Sequence, residues 1–355
     1  MKFNFLSKNL SAFGLDVSNG SFKIMQVSKK GRDYSIKGYS EVLIPKGMVI
    51  ADAISDQKTF DFLLKQALQK PQFGKIDTNY VVASLPESKS FVRVIQIPKM
   101  SDAEAENAVP YEAESFIPLP IDQVYLDWQK VSETDDKMNI LMIASPKDFV
   151  DKYLEILDKS GVKPVALEVE SQSCHRALIP QGSKETVLLL DTESYRTSLI
   201  MIEQGNLQFT STIPIAGNSF TESIAKTLGV ASSKAEEIKK KVGIDNTPEY
   251  PNIKTAMLPV LGNITAEIKN ILKFHNEHST QPATKLILAG GSSKLKNLPE
   301  FLIPELKDYG VSVVELANPW QNLGFGQNPP MDALSTLSFV TVLGLAVRGA
   351  EYEID

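Results

Sequence analysis

Apolar and polar positions alternate from 12 to 44, with breaks at 18–20 and 29–33. This predicts a three-stranded antiparallel meander opened by Phe13, Leu15 and Val17. Residues 56–70 switch to helical spacing, with Phe60, Leu63, Leu64 and Leu68 on one face, and the strand NYVVASLP follows. Stretch 87–162 reads as a compact inserted unit. Its order is strand SFVRVIQIP, a helix, strands VYLDWQKV and MNILMIAS, and a helix DFVDKYLEILDKS that stops at Gly161 before strand VALEVE. Ser101 and Glu104 form a capping box for the first of these helices, and Pro110 is expected to kink or end it. From 186 the opening pattern restarts with strand VLLLD, a turn, strand SLIMIE, a turn at Gly205 and strand LQFTSTIPI. Three helices are expected between 219 and 278, then a strand KLILAGG, and a final apolar helix over 332–349.

Two lobes with one opening pattern, separated by an insertion, read as an internal duplication. Each opening contains an apolar strand that ends in an aspartate and a small polar turn: GLDVSNGSFK at 14–23 and LLLDTESYRT at 188–197. A carboxylate at the end of a buried strand is costly unless it holds a hydrated cation or a hydrogen-bond network. The turn after it can aim backbone N–H groups at phosphate oxygens, although the same residues also suit an ordinary hairpin.

Composition narrows the class. With 355 residues the chain exceeds what one core usually serves, and 43% hydrophobic with 23% charged residues is ordinary for a globular protein. The net charge of −6 and the lack of a basic run argue against nucleic acid as a partner. Cys174 is the single cysteine, so no intramolecular disulfide exists and a reducing, cytoplasmic setting is expected. The leader MKFNFLSKNLSAF is too short and polar for a signal peptide's apolar core and reads as frayed, with Phe3, Phe5, Leu6 and Leu10 its membrane-facing alternative. The apolar stretch 333–347 is too short to span a bilayer as a helix and reads as a buried helix.

Five segments resemble the actin-like ATPases. GLDVSNGSFK is similar to their first phosphate loop, LLLDTESYRT to the second, LILAGGSSKL to the adenosine loop, and LGNITAEIKNILKFH and STLSFVTVLGLAVRG to the two connecting helices. Within that superfamily, YEAESFIPLPIDQVYLDW, PIAGNSFTESIAKTLG and the AEEIK helix look most like the type IV pilus assembly protein PilM family, with the division protein FtsA as a near relative.

The resemblance implies an α/β, two-lobed actin-like (ribonuclease H-like) fold with an inserted strand-helix-strand-strand subdomain at 87–162. The first lobe core is 11–86, completed by 163–182 and 331–355; the second is 183–217, completed by 282–330; a helical subdomain occupies 218–281. It also implies ATP or ADP with Mg between the lobes. Asp16 and Asp191 would meet the hydrated metal, with Asn19, Gly20, Ser21, Lys23, Ser194 and Thr197 on the phosphates. Gly290, Gly291 and Ser292 would admit the nucleotide at the start of a helix bearing Lys294, Gly217 would open the helical subdomain, and Glu236 and Lys239 would reach the ribose and base. Glu170 would orient a hydrolytic water, for at most a slow ATPase.

The implied role is a cytoplasmic scaffold, peripheral to the inner membrane through its partners. It would grip the N-terminal cytoplasmic peptide of a PilN-like membrane protein in a groove between the insertion and the first lobe, contact other pilus assembly proteins, and use nucleotide as a conformational clamp. Ser18 and Glu193 stand where the family's phosphate loops carry glycine, and Arg196 is expected to compensate as a phosphate ligand. A nucleotide-free pseudo-ATPase scaffold and an FtsA-like division filament remain the alternatives; the short acidic end after Arg348 counts against the filament. A small-molecule kinase would need a substrate-binding insertion, which is not recognisable here. His275, Glu277 and His278 read as solvated helix-end residues, and Cys174 as core packing.

Overall fold

A computed structural model describes residues 11–31, 33–324 and 331–352; the leader residues singled out above, and the last three residues, lie outside them. The strands are β1 (Phe13–Val17), β2 (Ser21–Lys30), β3 (Asp33–Leu43), the short β4 (Val49–Ile50), β5 (Ala53–Ile54) and β6 (Phe73–Gly74), β7 (Tyr80–Leu85), β8 (Phe91–Pro98), β9 (Val124–Glu133), β10 (Lys137–Pro146), β11 (Lys163–Val169), β12 (Val187–Thr192), β13 (Thr197–Glu203), β14 (Asn206–Ile213), β15 (Lys285–Ala289) and β16 (Val313–Leu316). The helices are α1 (Gln57–Gln69), α2 (Asp102–Glu114), α3 (Lys147–Lys159), α4 (Glu170–Leu178), α5 (Gly217–Leu228), α6 (Ser232–Val242), α7 (Ile253–His278), α8 (Leu298–Leu306), the single turns α9 (Pro319–Asn322) and α10 (Ala333–Thr336), and α11 (Val340–Glu351).

Two sheets organise these elements. One has the order β11-β7-β1-β2-β3-β6 and the other β16-β15-β12-β13-β14-β8-β10-β9. In the first, the meander β1-β2-β3 is antiparallel and β7 lies parallel to β1; in the second, β12-β13-β14 repeats that pattern with β15 parallel to β12. β1 is buried along its whole length, which places Asp16 among apolar neighbours.

The inserted stretch is shared among three environments. Its strand β8 pairs with β14 at Arg93 and Phe209, so its sheet continues that of the second lobe. Helix α2 packs Ala105, Val109 and Ala113 onto a separate small core with Ile95, Ile97, Met138 and Ile140. Helix α3 instead packs against β5 and β11 of the first lobe and sends Val150, Tyr153, Ile156 and Leu157 into a core that also holds second-lobe residues such as Val187 and Ile200.

Three local expectations need correction. The capping box at Ser101 and Glu104 forms, but α2 runs through Pro110 to Glu114, because the buried alanines and Val109 anchor both halves on the sheet. The final helix is segmented, with a 3-10 turn Leu337–Phe339 between α10 and α11. His275 is not solvated: it is 3% exposed, and its Nε2 lies 2.9 Å from the Gln281 carbonyl. The helical stretch Ala333–Glu351 is long and apolar enough to cross a membrane, yet 67% of its most apolar window is buried, as in the core helix of a folded domain. There α11 packs against α4 and β1 so closely that a Cβ at Gly344 would lie 2.0 Å from the Ser173 carbonyl oxygen.

Candidate functional site

The two aspartate turns face each other. After β1, the turn is tightened by Ser18, whose N–H and hydroxyl both donate to the Ser21 carbonyl at 2.9 Å. After β12, the Glu193 N–H donates to Arg196 O at 3.0 Å. The Glu193 carbonyl accepts from Gly217 N at 2.9 Å and from Ser292 Oγ at 2.8 Å, which ties this turn to the start of α5 and to the turn after β15. Gly290 has φ 84°, and a Cβ there would come within 2.5 Å of Asp191 Oδ1, so only glycine fits beside that carboxylate.

Lys23 sits between the turns, 3% exposed, with Nζ 3.8 Å from Asp16 Oδ2 and 3.6 Å from Glu193 Oε1. Ser84 Oγ donates to Asp16 Oδ1 at 2.9 Å. Burial raises the Asp16 carboxyl pKa despite the opposing pull of Lys23. Burial, reinforced by Glu193 and Asp16, pushes Asp191 up to about 7. Burial disfavours the Lys23 charge, but Glu193 and Asp16 more than offset it and hold its pKa above the usual value. The floor therefore gathers more negative than positive charge.

Above that floor opens a cleft of ≈ 500 Å³. Of the residues the resemblance assigns, Ser21, Lys23, Ser194, Gly217, Glu236, Lys239, Gly291 and Ser292 line it. Asp16, Asp191 and Gly290 lie beneath. Asn19 and Gly20 instead face Ser194 and Arg196 across a gap of only ≈ 10 Å³. Thr197 is buried and its hydroxyl donates to the Ile215 carbonyl at 2.7 Å. Lys239 Nζ reaches Glu236 at 2.6 Å, Gly217 O at 2.8 Å and Thr221 Oγ1 at 2.9 Å, so this pair also brackets α6 onto the start of α5. The expected helix at Lys294 is one 3-10 turn, Gly291–Lys294, and α8 starts only at Leu298.

Arg196 does not point at the phosphate position. Its Nη1 donates to Asp52 Oδ1 at 2.7 Å and its Nη2 to Glu170 Oε1, so a second-lobe guanidinium is held by two first-lobe carboxylates. Glu170 is fully engaged, its Oε2 accepting from Glu87 N at 3.2 Å, while Glu87 Oε2 accepts from Ser171 N at 3.0 Å. Burial raises the Glu170 pKa well above the usual carboxylate range, with Arg196 opposing. Asn19 Nδ2 adds a 2.8 Å bond to Asp52. Sequence reasoning missed Asp52, which sits in the two-residue β4–β5 turn after Ala51, both at positive φ, without an Asn-Gly signal. It missed Glu87 as well, because a charged residue after a strand normally reads as surface.

The donor set fits a phosphorylated nucleoside with a hydrated cation. Five lysines (Lys23, Lys239, Lys240, Lys294 and Lys296) line the cleft against Glu41, Glu193 and Glu236, and Asp16, 3.8 Å from Lys23 Nζ, and Asp191 lie beneath as the two carboxylates that would face a hydrated cation. The misfit is local: Glu193 holds the lysine that a phosphate would use.

A second and larger groove, ≈ 930 Å³, is bordered by the first lobe, the inserted unit and, at Asn206, Leu207, Asn322 and Leu323, the second lobe. Lys29, Tyr34, Lys130, Arg176 and Glu351 give it a polar, charged wall. Helix α4 joins the two sites. Near its start Glu170 holds Arg196 and Cys174 Sγ lies 3.9 Å from Asp191 Oδ2, while Gln172, His175 and Arg176 line the groove. Strand β2 likewise carries Lys23 at the cleft and Lys29 at the groove.

Twin meanders with facing aspartate turns, a helical subdomain and a cleft between lobes define an actin-like protein. The fold is shared with MreB5 of Spiroplasma citri bound to AMPPNP (14% identity, TM-score 0.55, 96% of both chains). It is also shared with the ethanolamine utilization protein EutJ of Carboxydothermus hydrogenoformans (13%, TM-score 0.54, 95% of this chain and 89% of that one). The family profile of the type IV pilus assembly protein PilM matches residues 14–350, and the chain belongs to that family. A solved PilM-PilN type IV pilus biogenesis complex is similar over 97% of this chain and 100% of that one, at 28% identity and TM-score 0.81. Cell division protein FtsA of Bacillus subtilis is 22% identical over 174 residues and that of Streptococcus pneumoniae 21% over 279 residues, this chain spanning 39% and 60% of their lengths.

Proposed function

We propose that this PilM-family protein is a cytoplasmic scaffold of a type IV pilus machine that grips the N-terminal cytoplasmic tail of a PilN-like inner-membrane protein, and other pilus assembly proteins through its remaining surface. The observation that carries this reading is the near full-length likeness to a PilM-PilN complex. The larger groove has the size and charge to hold an extended tail, and association with the membrane would then be indirect.

The cleft would hold Mg-nucleotide as a clamp. Lys23, Ser21, Ser194 and Ser292 would bind phosphate, Asp16 and Asp191 would hold the cation through water, and Gly217, Glu236 and Lys239 would frame the nucleoside. The cleft lysines would offset the phosphate charge, and the hydrated cation would offset that of the carboxylate-rich floor. Helix α4 then carries the lobe angle from the Arg196 contact to the groove wall at His175 and Arg176. Since a ligand shifts a conformational equilibrium only by its differential affinity, tail and nucleotide must be coupled for this to operate. Glu170 is engaged by Arg196, which favours at most slow turnover.

A second reading rests on the Lys23 to Glu193 contact: a scaffold that has lost nucleotide and closes on its own carboxylate. Calorimetry of Mg-ATP into wild type and Asp16→Ala separates the two. The clamp reading expects micromolar to millimolar binding that the variant weakens at least tenfold while the fold is kept. Absence of heat in wild type discards the clamp and leaves the scaffold; failure of a PilN-type peptide to bind sinks the pilus assignment.

A further inference from the structure

We infer that the inserted unit carries a second docking site, in which an extended basic segment of a partner protein adds as a strand to the outer edge of β9. Three observations converge on it. First, β9 is the terminal strand of its sheet and runs for 10 residues, with no neighbour on its outer side among the described residues. Long open edges are usually blocked, since their free N–H and C=O groups template pairing. Here, among the described residues, one side chain bonds to that edge backbone: Asp127 Oδ1 accepts the Trp128 N–H at 2.9 Å.

Second, the edge is roofed. A groove of ≈ 470 Å³ lies between β9 and α2, walled by Leu126 and Trp128 on the strand and by Asp102, Glu106 and Pro110 on the helix. Strand beside helix is the geometry by which recognition domains take an added strand, main-chain bonds giving affinity and alternate side chains giving choice. Residues 126–130 span roughly 17 Å at strand rise, so the groove accepts about five residues. Pro110 contributes directly. Having no N–H, it leaves the Glu106 carbonyl without its helical i+4 donor, on the same stripe of helix that lines the groove.

Third, the wall selects charge. Of the acidic residues on helix α2, Asp102 and Glu106 line the groove, and the helix carries no lysine or arginine. Among the described residues, Lys130 pairs with Asp102 at 3.7 Å and closes one end of the groove, whereas Glu106 and Asp127 make no ion pair. The occupant that satisfies an acidic wall and an open backbone edge is a lysine- or arginine-bearing extended segment. Although Gln129 and Lys130 also border the larger groove, this site lies on the α2 side of the sheet and does not depend on the proposed tail site.

Fluorescence anisotropy with labelled, end-blocked hexapeptides tests the proposal on the full-length protein. The probes are alternating lysine-valine, alternating glutamate-valine, and the lysine-valine peptide N-methylated at alternate residues. The expected result is saturable binding of the first, with the other two at least tenfold weaker. Glu106→Lys with Asp127→Lys, both on exposed positions, should weaken the first probe at least tenfold while circular dichroism and melting stay unchanged. Four results would overturn it: no binding of the lysine-valine peptide up to millimolar, equal binding of the glutamate peptide, equal binding of the N-methylated peptide, or affinity unmoved by the double substitution. Sedimentation showing concentration-dependent dimers that the double substitution abolishes would give the edge to a second copy instead, and would equally overturn it.

Discussion

Glu193 is the residue on which the cleft turns. Its carboxylate stands 3.6 Å from Lys23 Nζ, in a site where burial makes every unpaired charge costly. If it competes with phosphate for that lysine, Glu193→Gly should raise Mg-ATP affinity at least tenfold, about 1.4 kcal/mol, by calorimetry. Unchanged affinity would mean the carboxylate is a bystander. The two aspartates were legible in the sequence because an acidic residue ending an apolar strand breaks its pattern twice. Arg196 and Glu170 were legible only singly, and Asp52 not at all. Their contact joins residues 144 positions apart in one case and crosses between lobes, and nothing local in either segment marks a partner. His275 misled for the opposite reason: helix ends are usually wet, but here the segment after α7 folds back so that Gln281 O receives the ring.

Among the elements, α4 and α11 pack closely against each other beside the junction of the lobes. Their contact leaves no room for a side chain at Gly344, so Gly344→Ala should cost about 3 kcal/mol in denaturant unfolding, as overpacking of a tight core does. A variant as stable as wild type would show that the helices can slide apart and would weaken the case for α4 as a rigid link. Helical and strand periodicities placed most elements correctly, since burial on one face imposes them. Breaks that arise from tertiary packing were not visible. Pro110 is tolerated within α2 because the sheet beneath holds both sides of it, and the last helix is segmented at 337–339, where Leu337 and Phe339 are both buried.

At the scale of the molecule, duplication and insertion were both legible, because each meander announces itself by pattern. The pairing of β8 with β14 was not, since it rests on one register contact between strands more than 100 residues apart. That contact matters: it makes the inserted unit an extension of the second lobe's sheet, while α3 roots it in the first lobe. A ligand that changes the angle between lobes must therefore strain or relax the groove bordered by both. Arg196, held by Asp52 and Glu170 across the lobes, adds a second fastening that any opening has to break. The most direct test is titration calorimetry of a PilN-type N-terminal peptide with and without saturating Mg-ATP. The clamp predicts at least a fivefold difference in peptide affinity, matched by the reciprocal effect on nucleotide; identical peptide affinities in the two conditions would contradict it.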